Sequence, residues 1–302
     1  MKEQIFDFYD RTNLKSYNLN ENMRYQLNML DGLDVFTRKH SENVASITCM
    51  LCQYLHCNKA FTEYCTICAY LHDIGKIFIP SSILQKAAPL TDEEYEKMKT
   101  HTTIGYNMCM KDLKLRPYSA GAYYHHECLD GSGYPQGLTK KDIPYEAQII
   151  KVADEYDALV SKRQYKTHIG ISDTLKILIN QSIPDKNNKY GKIDPKIVKC
   201  LIKVVLDDVK YEIYSIQDYI NYLKEEIKRC KQIEKYIKAM EYAKKEKYRN
   251  YYLEAVNLLL KQGETLENFS NVYNEYNKAF AQKQSIIQNL YSEMKILKKL
   301  KV

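Results

Sequence analysis

The sequence predicts an all-α protein, and the placement of its helix-breaking residues is the first reason. All seven prolines lie between Pro80 and Pro195, and nine of the ten glycines precede residue 192. Apolar residues recur at helical spacing, whereas the strict alternation that marks a half-buried strand is scarce. We therefore expect helices joined by loops, no substantial sheet, and long helices over roughly the last hundred residues.

The first two hundred or so residues read as a succession of helices. "HSENVASITCMLCQYL" has apolar residues at helical spacing, and so has "PYEAQIIKVADEYDALV". Thr91 and Glu94 form the capping-box pattern that opens a helix in "TDEEYEKMK". We expect loops around Pro80 and from Gly131 to Pro144, and "KIVKCLIKVVLDDV", after Pro195, as the helix that closes a first domain.

From about residue 208 the composition shifts to Lys, Glu and Tyr. Heptad spacing, interrupted by one stutter, relates Ile220, Leu223, Ile227, Cys230, Ile233, Ile237 and Met240. Two interpretations remain open: a long-helix hairpin that packs on itself or on the first domain, and a coiled coil that forms a homodimer or receives a partner. Few heptads hold, which favours the hairpin, with Gly263 at the turn between two long helices.

The 302 residues carry a net charge of +7, with a sequence pI near 8.7. This charge suits an anionic substrate but does not by itself predict nucleic-acid binding. The start, "MKEQIFDFYDR", does not resemble a signal peptide, and no segment approaches the ~18 apolar residues of a membrane span. We expect a cytoplasmic protein with reduced thiols and no membrane partner.

Two C-x-x-C pairs, Cys49 with Cys52 and Cys65 with Cys68, have the spacing of a zinc ribbon. Their surroundings are helical and contain no Gly or Pro that could form a metal-binding knuckle. Because residues three apart share one face of a helix, buried structural thiols are the favoured interpretation.

Histidines and carboxylates occur side by side in this histidine-poor chain: His72 precedes Asp73, and His125 and His126 are adjacent. Mixed ligands of these types suit Fe, Mn or Zn. The side chains of adjacent residues diverge by about 100° on a helix. Two adjacent residues can therefore both be ligands of one cluster only at the end of a helix, or where two metals lie close together. An aspartate can bridge two metals, and a two-metal centre suits phosphoryl transfer.

The stretch "HHECLDGSGYPQGL", residues 125 to 138, combines the paired histidines with Gly131, Gly133, Gly137 and Pro135. These residues specify a turn that allows close backbone approach. A structural turn alone would explain them, but their position directly after two histidines favours a loop that faces a substrate.

Together these motifs resemble the HD-GYP family, a branch of the HD phosphohydrolase superfamily. The resemblance rests on "HDIGK" at 72–76, "HHE" followed by "DGSGYPQGL", "ADEYDALVSKRQYK" at 153–166, and "DVFTRKHSENVA" at 34–45. It implies an HD-superfamily helical bundle as catalytic domain over residues 21–207. A short segment, 1–20, would precede this domain, and a helical region, 208–302, would follow it.

The resemblance implies a phosphodiesterase that hydrolyses the bacterial second messenger cyclic di-GMP to pGpG, with GMP as a further product. A hydroxide held between two divalent metals, Fe or Mn in preference to Zn, would attack phosphorus. One metal would be held by His40, His72, Asp73 and Asp154. The other would be held by Asp73, as a bridge, with His101, His125 and His126.

The resemblance also implies substrate contacts. Lys76 would contact the reacting phosphate, and Arg163 and Lys166 would hold the second phosphate or its guanosine. Tyr134 would pack against a guanine or contact phosphate, and Asp157 would orient a ligand or Arg163.

Some positions depart from the family pattern. Phe36 stands where members with three metals carry a glutamate, so we expect two metals. Asn43 and Gln164 replace a usual arginine and a usual proline without removing a ligand, while His56 and His168 fit no motif.

Two other functions remain open: a cyclic dinucleotide receptor with little turnover that signals through the C-terminal helices, and a hydrolase of another nucleotide such as cyclic GMP-AMP.

Overall fold

The computed structural model describes residues 29–161, 170–186 and 188–302. Over these ranges the chain is helical and has no strand, and its only ladder pairing is an isolated bridge between Asp130 and Thr139. The all-α prediction is therefore confirmed. The chain divides into two compact units, one that runs to Leu206 and includes Lys299–Val302, and one formed by Asp207–Lys298.

Eleven α-helices lie in the described ranges. In chain order they are α1 Val35–Tyr54, α2 Lys59–Leu71, α3 Ser81–Leu84, α4 Asp92–Lys99, α5 His101–Lys111, α6 Ser119–Tyr124, α7 Tyr145–Val160, α8 Ile171–Ser182, α9 Pro195–Tyr242, α10 Glu246–Leu259 and α11 Phe269–Leu297. Short 3₁₀ helices occupy Met29–Gly32, Ile74–Phe78 and Arg116–Tyr118.

Side-chain caps begin three helices of the first unit, α1, α2 and α4. Asp34 accepts hydrogen bonds from two backbone N–H groups at the start of α1, and Asn58 caps α2. The predicted capping box of α4 is present: Glu94 N donates to Thr91 Oγ1 at 3.2 Å, and Thr91 N donates to the Glu94 carboxylate at 2.8 Å. These caps satisfy backbone donors that have no partner within the helix.

The first unit is built around α1, which packs against α2 and α7. Helix α6 packs against α2, α5 and α7, and the Ile74–Phe78 3₁₀ helix packs against α5. Leu71, Ile74 and Ala122 are fully buried in one apolar cluster, which brings the end of α2 next to α6. The four cysteines of the C-x-x-C pairs are buried on α1 and α2, as the sequence predicts.

The second unit has its own apolar core, formed by Cys230, Ile233, Val256 and Phe269. Beside this core the Arg229 guanidinium donates to both carboxylate oxygens of Glu264 and to the carbonyl of Leu259, each at 2.7 Å.

The C-terminal helices differ in part from the sequence prediction. Helix α9 is unbroken from Pro195 to Tyr242, so no helix ends near residue 208. Gly263 has φ +84° between α10 and α11, at the predicted turn, but α10 is only 14 residues long. The long-helix hairpin is not confirmed, and the coiled coil stays a prediction. No helix in the described part of the chain is both long and apolar enough to cross a membrane.

Candidate metal centre

Helix ends position most of the predicted ligands. His72 is the C-cap of α2 and Asp73 follows it, His101 is the first residue of α5, and His125 is the C-cap of α6. A helix end frees two adjacent side chains from the 100° divergence of helix interiors. The two histidine-containing pairs can therefore point into one cluster.

Close backbone approach brings two of these ends together. A Cβ at Gly75 would lie 2.0 Å from the carbonyl oxygen of His101 and 2.6 Å from the amide nitrogen of Gly105. Only glycine leaves room for the first turns of α5 against the 3₁₀ helix after Asp73. The glycine of "HDIGK" thus sets the distance between Asp73 and His101.

The structure brings all seven predicted metal ligands into one cluster, in which six are buried and His126 is half-buried. Their potential ligand atoms form three groups, within each of which all atoms lie within 4.8 Å of one another. The groups are His40–His72–Asp73, His101–His125–His126 and His72–His125–Asp154.

The Asp73 carboxylate lies between the histidines. Its Oδ2 is 3.3 Å from His72 Nε2 and 3.7 Å from His40 Nε2. Its Oδ1 is 3.4 Å from His101 Nε2 and 3.9 Å from His125 Nε2. Each oxygen therefore faces one of the two ligand sets, as a bridging carboxylate would.

Backbone carbonyls orient three of the histidine rings. The Nδ1 atoms of His72, His101 and His125 lie 2.6, 2.7 and 2.9 Å from the carbonyl oxygens of Ala69, Met98 and Gly121. Because a carbonyl only accepts, each Nδ1 carries the proton. In a neutral ring Nε2 then has a free lone pair, which points into the cluster, the usual arrangement of histidine metal ligands.

Burial keeps much of the histidine cluster neutral. It lowers the pKa of His101 to about 4, and with nearby histidines it holds the pKa values of His125 and His126 well below the usual range. Burial also lowers the pKa of His40, but hydrogen bonds to Asp154 and Asp157 outweigh it and raise that pKa to about 9.

The two carboxylates of the cluster are held ionised. Burial raises the pKa of Asp73, but Lys76 and His72 outweigh it, so the pKa lies well below the usual range. Burial also raises the pKa of Asp154, but the hydrogen bond from His40 outweighs it, so this pKa too lies well below the usual range. Ionised carboxylates beside neutral imidazoles form a donor set for a divalent cation.

Unsatisfied lone pairs show that these residues fit a metal. The Nε2 atoms of His101 and His125 face each other at 3.2 Å, although both rings carry their proton on Nδ1. His72 Nε2 and Asp73 Oδ1 are buried and have no hydrogen-bond partner. Lone pairs that face one another without a proton repel, and buried polar atoms without partners are costly. A bound cation would relieve both problems.

Some of the other residues predicted to act at the site lie beside the cluster, and others do not. Lys76 Nζ donates to Asp73 Oδ2 at 2.5 Å, and the Tyr134 ring stacks on His126. Asp157 Oδ2 lies 2.7 Å from His40 Nδ1, so it contacts a predicted ligand from outside the cluster. Phe36 is exposed in the first turn of α1. Arg163, Gln164, Lys166 and His168 lie outside the described residues.

Sequence reasoning missed the roles of two residues beside the cluster. The buried Glu127 carboxylate accepts from the backbone N–H groups of Gln136 and Leu138, at 2.7 and 2.9 Å, and thus holds the glycine-rich loop. Asn43 donates to Asp157 Oδ1 at 3.0 Å. In the sequence, Glu127 directly follows two histidines and precedes a glycine-rich turn, and this position could have indicated its role.

The chain is also similar in sequence to known proteins. The family model described as HD domain matches residues 24–196. A Thermotoga maritima protein named cyclic di-GMP phosphodiesterase is 37% identical over 182 residues, which cover 59% of this chain and 47% of that protein. The Xanthomonas campestris pv. campestris cyclic di-GMP phosphodiesterase response regulator RpfG is 36% identical over 166 residues, 54% of this chain and 42% of the regulator.

A third relative bears a different substrate in its name. The Vibrio cholerae 3′3′-cGAMP-specific phosphodiesterase 3 is 30% identical over 177 residues, which cover 59% of this chain and 37% of that protein. The chain thus spans less than half the length of each of these three relatives.

Proposed function

The chain belongs to the HD domain family, and we propose that it is a metal-dependent phosphodiesterase of the HD-GYP branch that hydrolyses cyclic di-GMP to pGpG. One observation carries the proposal: the Asp73 carboxylate turns one oxygen toward His40 and His72 and the other toward His101 and His125. Two relatives that bear cyclic di-GMP phosphodiesterase in their names support the substrate.

Two divalent cations would be held by this cluster, Fe or Mn in preference to Zn. One would take His40, His72, Asp73 and Asp154, and the other would take Asp73, His101, His125 and His126. When bound, such cations supply Lewis acidity, an activated water and neutralisation of phosphate charge. His40 would lose the proton through which Nε2 contacts Asp154, so cation binding would be coupled to proton release.

The chain's own residues would orient the centre and bind the substrate. Asp157 accepts from His40 Nδ1 and holds that ring in place. The Lys76 ammonium pairs with Asp73 at the edge of the cluster, where it would contact a phosphate oxygen of the substrate. Arg163 and Lys166, in the segment 162–169, would bind the second phosphate or its guanosine.

The test is anaerobic hydrolysis of cyclic di-GMP by the full chain loaded with Mn²⁺ or Fe²⁺, followed by product analysis. We expect linear pGpG. Asp73→Ala should reduce the rate by about a thousandfold or more, because it removes the carboxylate that both ligand sets share. Asp173→Ala, an exposed acid on α8, is the control and should leave the rate unchanged. If wild-type protein with two metals bound does not hydrolyse cyclic di-GMP, the proposal is wrong.

Cyclic GMP-AMP is the second candidate substrate, because one relative bears that specificity in its name. Side-by-side rates on the two cyclic dinucleotides decide between them. Tight binding of either without hydrolysis would instead support a receptor. A homodimer through the C-terminal helices and a cytoplasmic location stay predictions.

A further inference from the structure

His126 differs from the other histidines of the cluster in what orients its ring. Carbonyls bind the Nδ1 atoms of His72, His101 and His125, and Asp157 binds that of His40. Within the described ranges no hydrogen bond reaches either ring nitrogen of His126. A ligand histidine whose ring is free to rotate would aim its lone pair poorly. Another contact must therefore fix this ring.

Tyr134 makes that contact. Its ring stacks on the His126 imidazole, with centroids 4.7 Å apart and planes inclined by 23°. His101 lies edge-on to the same imidazole, at 5.1 Å and 89°. The ring of the adjacent residue His125 is tilted by 46° at 4.1 Å, so Tyr134 is the ring that stacks on a face of His126. The Tyr134 face that covers His126 is then closed to a guanine base.

The glycine-rich loop holds Tyr134 in this place. Glu127 anchors the loop through its two backbone hydrogen bonds, to Gln136 and Leu138. The backbone of Gly133 lies against the Glu127–Cys128 peptide, where a Cβ would be 2.3 Å from Cys128 N. Tyr134 N also donates to the His126 carbonyl, at 3.4 Å. The loop thus folds back on the backbone of the residue that Tyr134 stacks against.

We infer that Tyr134 is a positioning residue that orients His126 for metal binding, and that Glu127 acts through it by anchoring the loop. The inference rests on the proposed metal role of His126. The resemblance implied that Tyr134 contacts guanine or phosphate. The inference makes it the stacking partner of a metal ligand instead. Stacking here does for His126 what a hydrogen bond does for the other four rings.

The experiment is a Mn²⁺ titration of the metal-free full chain, with free Mn²⁺ measured by electron paramagnetic resonance. Tyr134→Leu removes the stacking ring, and we expect one class of Mn²⁺ sites to weaken by about 10- to 100-fold. Tyr134→Phe keeps the ring and should stay within about threefold of wild type. Unchanged far-UV circular dichroism of the metal-free variants verifies that they are folded.

Tyr95→Leu is the matched control. The Lys99 ammonium lies 5.4 Å from the Tyr95 ring and 5.7 Å from the Tyr134 ring, but only Tyr134 stacks on His126. Tyr95→Leu should therefore leave Mn²⁺ affinity unchanged. Weakening as large as that of Tyr134→Leu would assign the effect to Lys99 and overturn the inference.

Glu127→Gln supplies a second test that leaves Tyr134 in place. The amide oxygen of Gln can accept one of the two backbone bonds, but its NH₂ group cannot accept the other. We expect the same class of sites to weaken, by less than in Tyr134→Leu. An affinity equal to that of wild type would overturn the anchoring role.

The outcomes also separate this inference from the proposed function. If Tyr134 binds substrate instead, Tyr134→Leu should raise KM for the cyclic dinucleotide and leave Mn²⁺ affinity unchanged, which would overturn the inference. If wild-type protein binds Mn²⁺ but hydrolyses no cyclic dinucleotide, the proposed function fails while the titration still decides the role of Tyr134. A wild-type chain that binds no Mn²⁺ would refute the inference.

Discussion

His56 takes no part in the metal cluster, but it has a definite role in the backbone after α1. Its φ is +56°, in the left-handed region that favours glycine. Cys57 N donates to the Cys52 carbonyl at 2.9 Å, and His56 N donates to that of Gln53 at 3.0 Å. This is the paired hydrogen bonding of a helix that ends with a left-handed residue. A non-glycine residue at this position stores conformational strain.

Replacing His56 with glycine should stabilise the protein. The left-handed strain of about 1–2 kcal/mol disappears, and the greater freedom of glycine in the unfolded chain offsets part of the gain. We expect His56→Gly to raise the free energy of unfolding by about 0.5–1 kcal/mol in urea denaturation at neutral pH. His56→Ala retains the strain and is the control. A loss of stability in both variants would contradict this account of the turn.

The junction between the 3₁₀ helix Ile74–Phe78 and α5 decides whether the two ligand sets meet. Asp73 precedes the first of these elements, and His101 begins the second. Gly75 lets their backbones touch, since a Cβ there would fall 2.0 Å from the His101 carbonyl oxygen. Neither element can move away without separating Asp73 Oδ1 from His101 Nε2, which lie 3.4 Å apart.

Gly75→Ala should therefore damage the centre through the packing of these two elements. The methyl group must displace α5, at a cost of about 1–3 kcal/mol in the free energy of unfolding. We also expect the Mn²⁺ titration to lose the sites that include His101. Gly170→Ala is the control for Mn²⁺ binding, because nothing lies within 4 Å of its Cβ position, and should leave that binding unchanged. Full Mn²⁺ binding by Gly75→Ala would refute this role of the junction.

The elements that local pattern specifies were predicted from the sequence, and those that depend on distant contacts were not. The capping box at Thr91 and the loop after Gly131 follow from a few neighbouring residues, so they could be foreseen. Helix α9 was expected to end near residue 208 because the composition changes there. With no glycine or proline between Pro195 and Tyr242, however, a change of composition near residue 208 does not end the helix.

The same distinction applies within the candidate centre. The candidate ligands could be expected because the motifs that contain them resemble those of the HD-GYP family. The stack of Tyr134 on His126 was not, because it depends on how the loop folds back. Burial of the Glu127 carboxylate likewise depends on two N–H groups nine and eleven residues away. Arg163 and Lys166 lie outside the described residues, so their expected contacts stay predictions.

Across the whole molecule, every member of the candidate metal centre belongs to the first compact unit. The cluster extends in sequence from His40 to Asp154, and the second unit comprises Asp207–Lys298. The second unit has its own core and its own partly buried ion pair, between Arg229 and Glu264. A ligand that binds only the folded cluster should therefore stabilise the two units unequally.

Hydrogen exchange with and without Mn²⁺ measures this difference. At a free Mn²⁺ concentration of about 100 times Kd, binding stabilises the folded first unit by about 2.7 kcal/mol. Amides of α1, α5 and α7 that exchange only by unfolding of that unit should then exchange about 100-fold more slowly. Peptides from α10 and α11 should be unaffected, and Asp73→Ala should remove the effect throughout. Equal protection of α10 and α11 would show that the two units unfold together.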